Sequence, residues 1–239
     1  MERKKIRALS LSLASVTVIA GLAAYFTSSD TVTNSFSAND LQIRVIEPNW
    51  KDDPTIVPEQ KVDKDPMIVN TGKTPAYVFM KVTVPAQKVT IEKASGDDEK
   101  GEYLANTAVP LFRFIDSDGN YTEDPLSSAQ VYNSDWHLME TAENKGSSRT
   151  VESYTYLYAW TDKAEPSDEM AVLDPGETTD TPLFNEVILC NAREDSCLPG
   201  STQKISIEVF GIQTEHLKAS GVTETQADKV WQHLSEQKP

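Results

Sequence analysis

Cysteine is scarce, with two in 239 residues. That excludes a disulfide-dense miniprotein and a multi-cysteine zinc module. Basic residues are outnumbered, 22 Lys and Arg against 37 Asp and Glu, for a formal charge of −15. No nucleic-acid partner is expected, because phosphate backbones are held by a Lys/Arg surplus. Mean hydropathy is −0.43 and the chain has one long apolar run, so it is not a polytopic membrane protein. Histidine occurs three times, as His137, His216 and His233, and never as His-Glu-x-x-His, the helical zinc-protease arrangement. Gly-x-Ser-x-Gly and Gly-x-x-x-x-Gly-Lys are missing too. A Ser/His/Asp triad assembled in space leaves no sequence signature, and nothing in the chain points to one. The expectation is a non-enzyme with no catalytic residue, no metal ligand and no cofactor. No internal repeat and no second compositional domain is found. Aromatics at 8%, gathered in Tyr-rich and Val/Ile-rich runs, exclude full disorder.

What is present begins with the apolar run. Residues 1–7 read MERKKIR, and residues 8–26 follow without a charge. Gly21, Leu22, Ala23 and Ala24 supply small side chains near its end, and no basic cluster follows to stop transfer. The favoured reading is a cleaved export signal over residues 1–24, with cleavage at Ala24. A retained N-terminal anchor is the alternative. Residues 1–24 carry four basic side chains and one acidic one, so their removal takes the net charge from −15 to −18. Such a surface suits an exported, colloidally stable protein, and also cation binding, although a generic acidic solvated surface has the same composition.

The remainder reads as short strands. Leu41, Ile43 and Val45 alternate with polar residues. Asn70-Thr71-Gly72 marks a turn after Met67-Ile68-Val69. Residues 76–84 are apolar on both faces, which places them centrally in a sheet. Val89 and Ile91 mark another strand, and residues 111–115 (LFRFI) a further one. In residues 151–160 (VESYTYLYAW), Tyr154, Tyr156, Tyr158 and Trp160 share one face and Leu157 and Ala159 the other. Asp174-Pro175-Gly176 is a turn before a strand over residues 183–189, and Ile205, Ile207 and Val209 form the last strand, with Phe210 and Ile212 opposite. Residues 129–143 hold one or two helical turns around Trp136. Thr223-x-x-Gln226 has the form of a capping box, and Ala227, Val230, Trp231 and Leu234 follow at helical spacing. Seven or more strands with turns between them and no βαβ rhythm predict an all-β antiparallel sandwich with a C-terminal helix. The expected organisation is a signal over 1–24, an N-terminal segment over 25–39, a sandwich over 40–213 and a helical tail over 214–239.

Candidate sites are few. His137 and Glu140 stand at i, i+3, a ligand spacing on a helix, but no third ligand is in view, and a polar helix face has the same pattern. His233 is expected to face solvent. Asp116, Asp118 and Asn120 offer oxygens at alternate positions, yet Gly119 stands fourth instead of sixth and Ser127 occupies position twelve, so a turn is favoured over a calcium loop. The Tyr154/Tyr156/Tyr158/Trp160 face reads as core sooner than ligand platform. Cys190 and Cys197 enclose six residues, and export to an oxidising compartment favours a bond between them. Closing that loop would remove about 2.5 kcal/mol of unfolded-state entropy. Residues 27–36 (TSSDTVTNSF) contain no Pro or Gly, and Val32, Asn34 and Phe36 share one face. This segment reads equally as a self-paired first strand and as a strand donated to an open edge elsewhere.

One ordered set of residues carries a resemblance. A basic apolar leader ends in Ala23-Ala24-Tyr25-Phe26, and Asn34-Ser35-Phe36-Ser37-Ala38-Asn39 precedes Leu41-Gln42-Ile43. Lys64-Asp65-Pro66, Val69-Asn70-Thr71-Gly72 and Pro75-Ala76-Tyr77-Val78 follow. Then come Tyr154-x-Tyr156-x-Tyr158, Leu173-Asp174-Pro175-Gly176-Glu177-Thr178-Thr179, Leu183-Phe184-Asn185-Glu186-Val187, Ile205-x-Ile207 and Ile212-Gln213. In this order the chain resembles the TasA/camelysin family of Gram-positive bacteria, exported through a SipW-type signal peptidase. The resemblance implies a jelly-roll sandwich and a secreted biofilm-matrix protein that polymerises into fibres by donor-strand exchange. The implied partner is the chain itself, with accessory or anchoring matrix proteins beside it, and a membrane only before signal cleavage. Camelysin has also been described as a metalloprotease, for which this chain lacks the zinc motif. A secreted metallopeptidase and a monomeric cation- or carbohydrate-binding sandwich are the competing readings.

Overall fold

The computed structural model describes residues 30–33, 41–51, 58–91, 107–161, 168–192, 204–221 and 224–236. In them lie β1 (Asp30–Thr33), β2 (Ile43–Ile46), β3 (Lys61–Asp63), β4 (Met67–Asn70), β5 (Ala76–Val89), β6 (Thr107–Pro110), β7 (Phe112–Ile115), β8 (Trp136–Lys145), β9 (Val151–Trp160), β10 (Glu186–Leu189), β11 (Ser206–Gln213), α1 (Thr214–Ala219) and α2 (Ala227–Glu236). The fold is an all-β sandwich with two short helices after the last strand. Its main sheet has the order β1-β11-β5-β9-β8, with β6 paired to the far half of β5. Facing it are a three-stranded sheet, β3-β10-β7, and a two-stranded one, β2-β4. Every pairing between these strands is antiparallel except β1 with β11.

Two-residue alternation builds two apolar layers. Val78, Met80, Val82 and Val84 of β5, Tyr154, Tyr156, Tyr158 and Trp160 of β9, and Ile207 and Val209 of β11 enter the sandwich core. They meet Ile43, Ile68, Phe112, Phe114, Phe184 and Val187 from the smaller sheets and their connections. Phe114 stacks on Phe184 with centroids 4.0 Å apart and meets Tyr156 at 6.1 Å. The opposite residues, Tyr77, Phe79, Leu157, Ala159, Phe210 and Ile212, form a second cluster with Leu217 of α1 and Ala227, Val230 and Leu234 of α2. Trp231 packs on Phe79 at 5.0 Å and on Phe210 at 5.4 Å. This explains why residues 76–84 are apolar on both faces: one face lies in the sandwich and the other lies under helices. Gly211 sits where β11 crosses β2, and a Cβ there would lie 2.8 Å from Ile43 Cδ1.

Buried polar residues tie the connections down. Lys64 is fully buried, with Nζ 2.5 Å from Glu47 Oε1 and 4.4 Å from the Trp50 ring centroid. Asp65 accepts bonds from Asn49 N at 3.0 Å and Nδ2 at 2.7 Å. Asn70, also fully buried, donates from Nδ2 to Thr74 O and Leu173 O, both at 2.9 Å, and its Oδ1 accepts from Gly72 N at 3.0 Å. Its own carbonyl accepts from Gly176 N at 2.8 Å. The Asn-Thr-Gly and Asp-Pro-Gly turns, a hundred residues apart, are thus one hydrogen-bonded unit. Positive φ is used in the second, at Gly176 (84°), and not at Asn70 or Gly72.

Three local expectations are corrected. The helical turns around Trp136 do not form, since residues 136–145 are β8 and Trp136 lies across from Trp160 with rings 5.5 Å apart. Cross-strand aromatic pairing outweighs a weak local helix pattern there. Val89 does not begin a new strand but ends β5, which exchanges β11 and β9 for β6. Pro85 can sit inside it because the β11 ladder has already ended at Thr83. The tail helix begins at Ala227, later than a cap at Thr223 implies. Gln226 is held in a bridge with Glu169, and Thr223 lies outside the described residues.

Candidate functional site: the edges of the main sheet

A sheet edge presents unpaired N–H and C=O groups, and the two edges of this sheet are treated differently. At one edge β1 lies parallel on β11, with Asp30 opposite Ile207, Thr31 opposite Glu208, Val32 opposite Val209 and Thr33 opposite Phe210. β11 brings a core residue, Val209, and a surface ion pair, Glu208 with Lys81 at 2.5 Å, to this border. Of the proposed polymerisation residues, Val32 falls in β1, while Asn34 and Phe36 lie outside the described residues. So do Ala24 and the apolar run. Among the described residues no helix is long and apolar enough to cross a membrane.

The other edge is β8. Among the described residues no strand pairs with its outer side. Its second half is exposed and carries Glu140, Glu143 and Lys145, and its register shifts between Leu138 and Glu140. A bulge and charged side chains are the usual means of blunting an edge.

The other sequence candidates are not brought together. His137 and Glu140 lie on β8, so the helical i, i+3 spacing does not apply. Among the described residues no group of three His, Cys, Asp or Glu is placed to hold a metal ion. Asp116 Oδ1 accepts bonds from Asp118 N and Asn120 N at 2.9 Å, Oδ2 accepts from Asn120 Nδ2 at 3.0 Å, and Gly119 takes a φ of 84°. Slight burial would raise the Asp116 pKa, but these hydrogen bonds to the carboxylate outweigh it and hold the pKa below the usual value. The loop is a closed turn whose carboxylate is occupied by its own chain.

The aromatic face of β9 is core. Tyr156 donates its hydroxyl to Ser128 O at 2.5 Å, and Tyr158 OH has no hydrogen-bond partner among the described residues. Burial pushes both phenols well above their ordinary pKa. Cys190 is buried just after β10, and its N–H donates to Leu111 O at 2.9 Å. Cys197 lies outside the described residues, so the Cys190–Cys197 bond stays a sequence expectation.

Two features had no signal in the sequence. A cavity of about 200 Å³ at the end of β9 is lined by Asp135, Trp160, Thr161, Leu173, Glu177 and Asp180. Its floor is built by Asp135, which accepts the Thr181 hydroxyl on Oδ2 and Thr161 N and Oγ1 on its carbonyl. The second feature is the pairing of His233, itself partly exposed, with His216: the ring centroids are 5.6 Å apart and His233 Nε2 lies 3.1 Å from Ser220 Oγ. No family model, curated protein or solved structure matches the chain.

Proposed function

We propose that this chain is an exported, non-enzymatic structural protein of the cell surface or biofilm matrix that associates with copies of itself by strand addition at the β11 edge. The observation that carries the reading is β1, a four-residue strand laid parallel on β11 in a sheet otherwise antiparallel. A strand so short adds few main-chain bonds and lies before the first core strand in sequence. Exchanging it for the same segment of a neighbour keeps those bonds and links two subunits. Such a contact is heterologous, and a non-closing rotation propagates it into a fibre. The resemblance to the TasA/camelysin family and the export-type leader support the same reading.

The test is electron microscopy of the mature protein at high concentration beside a version lacking residues 25–36 and beside Val32→Pro. Proline removes a backbone donor and is poorly tolerated inside a sheet. The expected result is fibres from the mature protein, and folded monomers with unchanged circular dichroism from both variants. Fibres from Val32→Pro at the unaltered rate overturn the proposal.

A further inference from the structure

We infer that Gln130 is an autoinhibitory guard on one edge of the three-stranded sheet, and that its release lets the β7 strands of two copies pair. β7 is bordered by β10 on one side, and among the described residues no strand pairs with its other side. Successive residues of a strand turn their main-chain polar groups to alternate sides. Leu111 O, just before β7, and Ile115 O point to the β10 side, where they accept Cys190 N at 2.9 Å and Asn185 N at 2.8 Å. Phe112 and Phe114 therefore turn their N–H and C=O groups to the other side.

Gln130 meets them there from a connection. Its Oε1 accepts Phe114 N–H at 2.9 Å and its Nε2 donates to Phe112 O at 3.1 Å, both in the buried interior. One carboxamide thus supplies an acceptor and a donor to two outward groups of the same strand, as an added strand would. The segment carrying Gln130 is pinned on both sides. Ser128 O accepts the Tyr156 hydroxyl at 2.5 Å, Ala129 O accepts Thr122 Oγ1 at 2.9 Å, and Asn133 N donates to Leu183 O at 2.9 Å.

A ladder comes apart over its full length, whereas two bonds from one side chain are lost together when that side chain is withdrawn. Phe114 N–H and Phe112 C=O then lose this partner, and a buried donor or acceptor is costly to leave unmatched. The occupant of matching chemistry is the β7 strand of a second copy. Two such edges related by a two-fold axis offer each other the same donor and acceptor, antiparallel, in an isologous contact that closes as a dimer. β8 protects its edge with charge and a bulge. β7 does so with a carboxamide, and the contact is independent of β1 and of growth at β11.

The test follows amide exchange at Phe114 and sedimentation from low to high protein concentration, with and without Val32→Pro. Gln130→Leu removes both bonds, Gln130→Asn draws the carboxamide back by one methylene, and Gln130→Leu/Tyr156→Phe also loosens the segment. In the unaltered protein Phe114 should exchange slowly at every concentration. In Gln130→Leu it should exchange about tenfold faster or more when dilute, and regain protection as a dimer forms at high concentration. Gln130→Asn should show a weaker form of the same result, and the double variant a stronger one, whether or not Val32→Pro is present. Asn70→Ala, destabilised at the β4 turn, should show no such concentration dependence. Unchanged Phe114 exchange in a folded Gln130 variant overturns the guard, as does a folded double variant that stays monomeric at all concentrations. Association that Val32→Pro abolishes, or that Asn70→Ala reproduces, overturns it equally.

Discussion

Two tyrosines two residues apart on β9 point into the same core and should respond oppositely to loss of a hydroxyl. Tyr158 is fully buried and its hydroxyl finds no hydrogen-bond partner among the described residues. Protein substitution data put the cost of burying an unbonded hydroxyl at about 1–3 kcal/mol. Tyr158→Phe removes that cost and leaves a gap the size of one oxygen, whose lining loses only a few contacts of about 0.1–0.2 kcal/mol each. The net expectation is a gain of about 1 kcal/mol. Tyr156 is equally deep, but its hydroxyl donates to Ser128 O at 2.5 Å. Ser128 is partly exposed, so water can satisfy its carbonyl once the phenol is gone. Tyr156→Phe should therefore cost about 1 kcal/mol, the net worth of an ordinary hydrogen bond.

Urea unfolding at neutral pH, fitted for midpoint and slope, measures both. The midpoints should move in opposite directions with unchanged slopes, because neither substitution alters the surface exposed on unfolding. In thermal melts the displacement should be about 2–4 °C each way for a domain of this size. The rings lie 6.5 Å apart, so the double variant also reports their coupling. A loss of 1 kcal/mol or more in Tyr158→Phe would refute the reasoning, since it would mean that the hydroxyl is bonded.

Three further outcomes follow from the buried polar residues. Lys64→Met leaves Glu47 buried without its ammonium partner and should cost about 3–5 kcal/mol, with partial recovery when Glu47→Leu is added, measured by urea unfolding. Asn70→Ala strips bonds from Thr74 O, Leu173 O and Gly72 N and should cost about 2–4 kcal/mol, with amide exchange at Gly176 accelerating because the paired turns separate. Burial raises the pKa of Tyr156 and Tyr158 from 10.0, so the folded chain prefers the neutral phenols. Their contribution is complete below pH 10 and lost as pH rises beyond it. In an alkaline ultraviolet titration these two should ionise only together with unfolding, and smooth ionisation in a still-folded protein would contradict the burial.

The strands that sequence located best are those whose alternation is set by one dominant contact. β9 was bounded at Val151 and Trp160 because four aromatic residues in step leave no other periodicity. β5 was legible as central, but the cause of its two apolar faces was not, since a helix-covered rear face and a second sheet look alike in composition. β8 was misread for a definable reason. Its outer half is Glu140, Thr141, Ala142, Glu143, Asn144 and Lys145, residues with no strand signature, and only the partner β9 makes it a strand. The pairing of the Asn70 and Gly176 turns left no trace, because a hydrogen bond between residues so distant has no spacing. The His216–His233 contact was hidden likewise, since it exists only once α1 and α2 are packed.

The difference between the two edges bears on where self-association would start. β8 turns Glu140, the Glu143–Lys145 ion pair at 2.9 Å and a bulge towards solvent, and the broken register disfavours a further strand there. The β11 edge bears Glu208, but Lys81 neutralises it, and Val209 and Phe210 on either face are core residues. Four residues of β1 close this edge, and the ladder of β11 with β5 runs the whole length from Ser206 to Gln213. The second half of β11, Gly211 to Gln213, thus extends beyond the β1 register. An incoming strand that begins there can displace β1 residue by residue, exchanging main-chain bonds for equivalent ones without exposing the core at once. If copies associate as proposed, an irregular register at one edge and a short cover at the other would direct growth to the β11 edge.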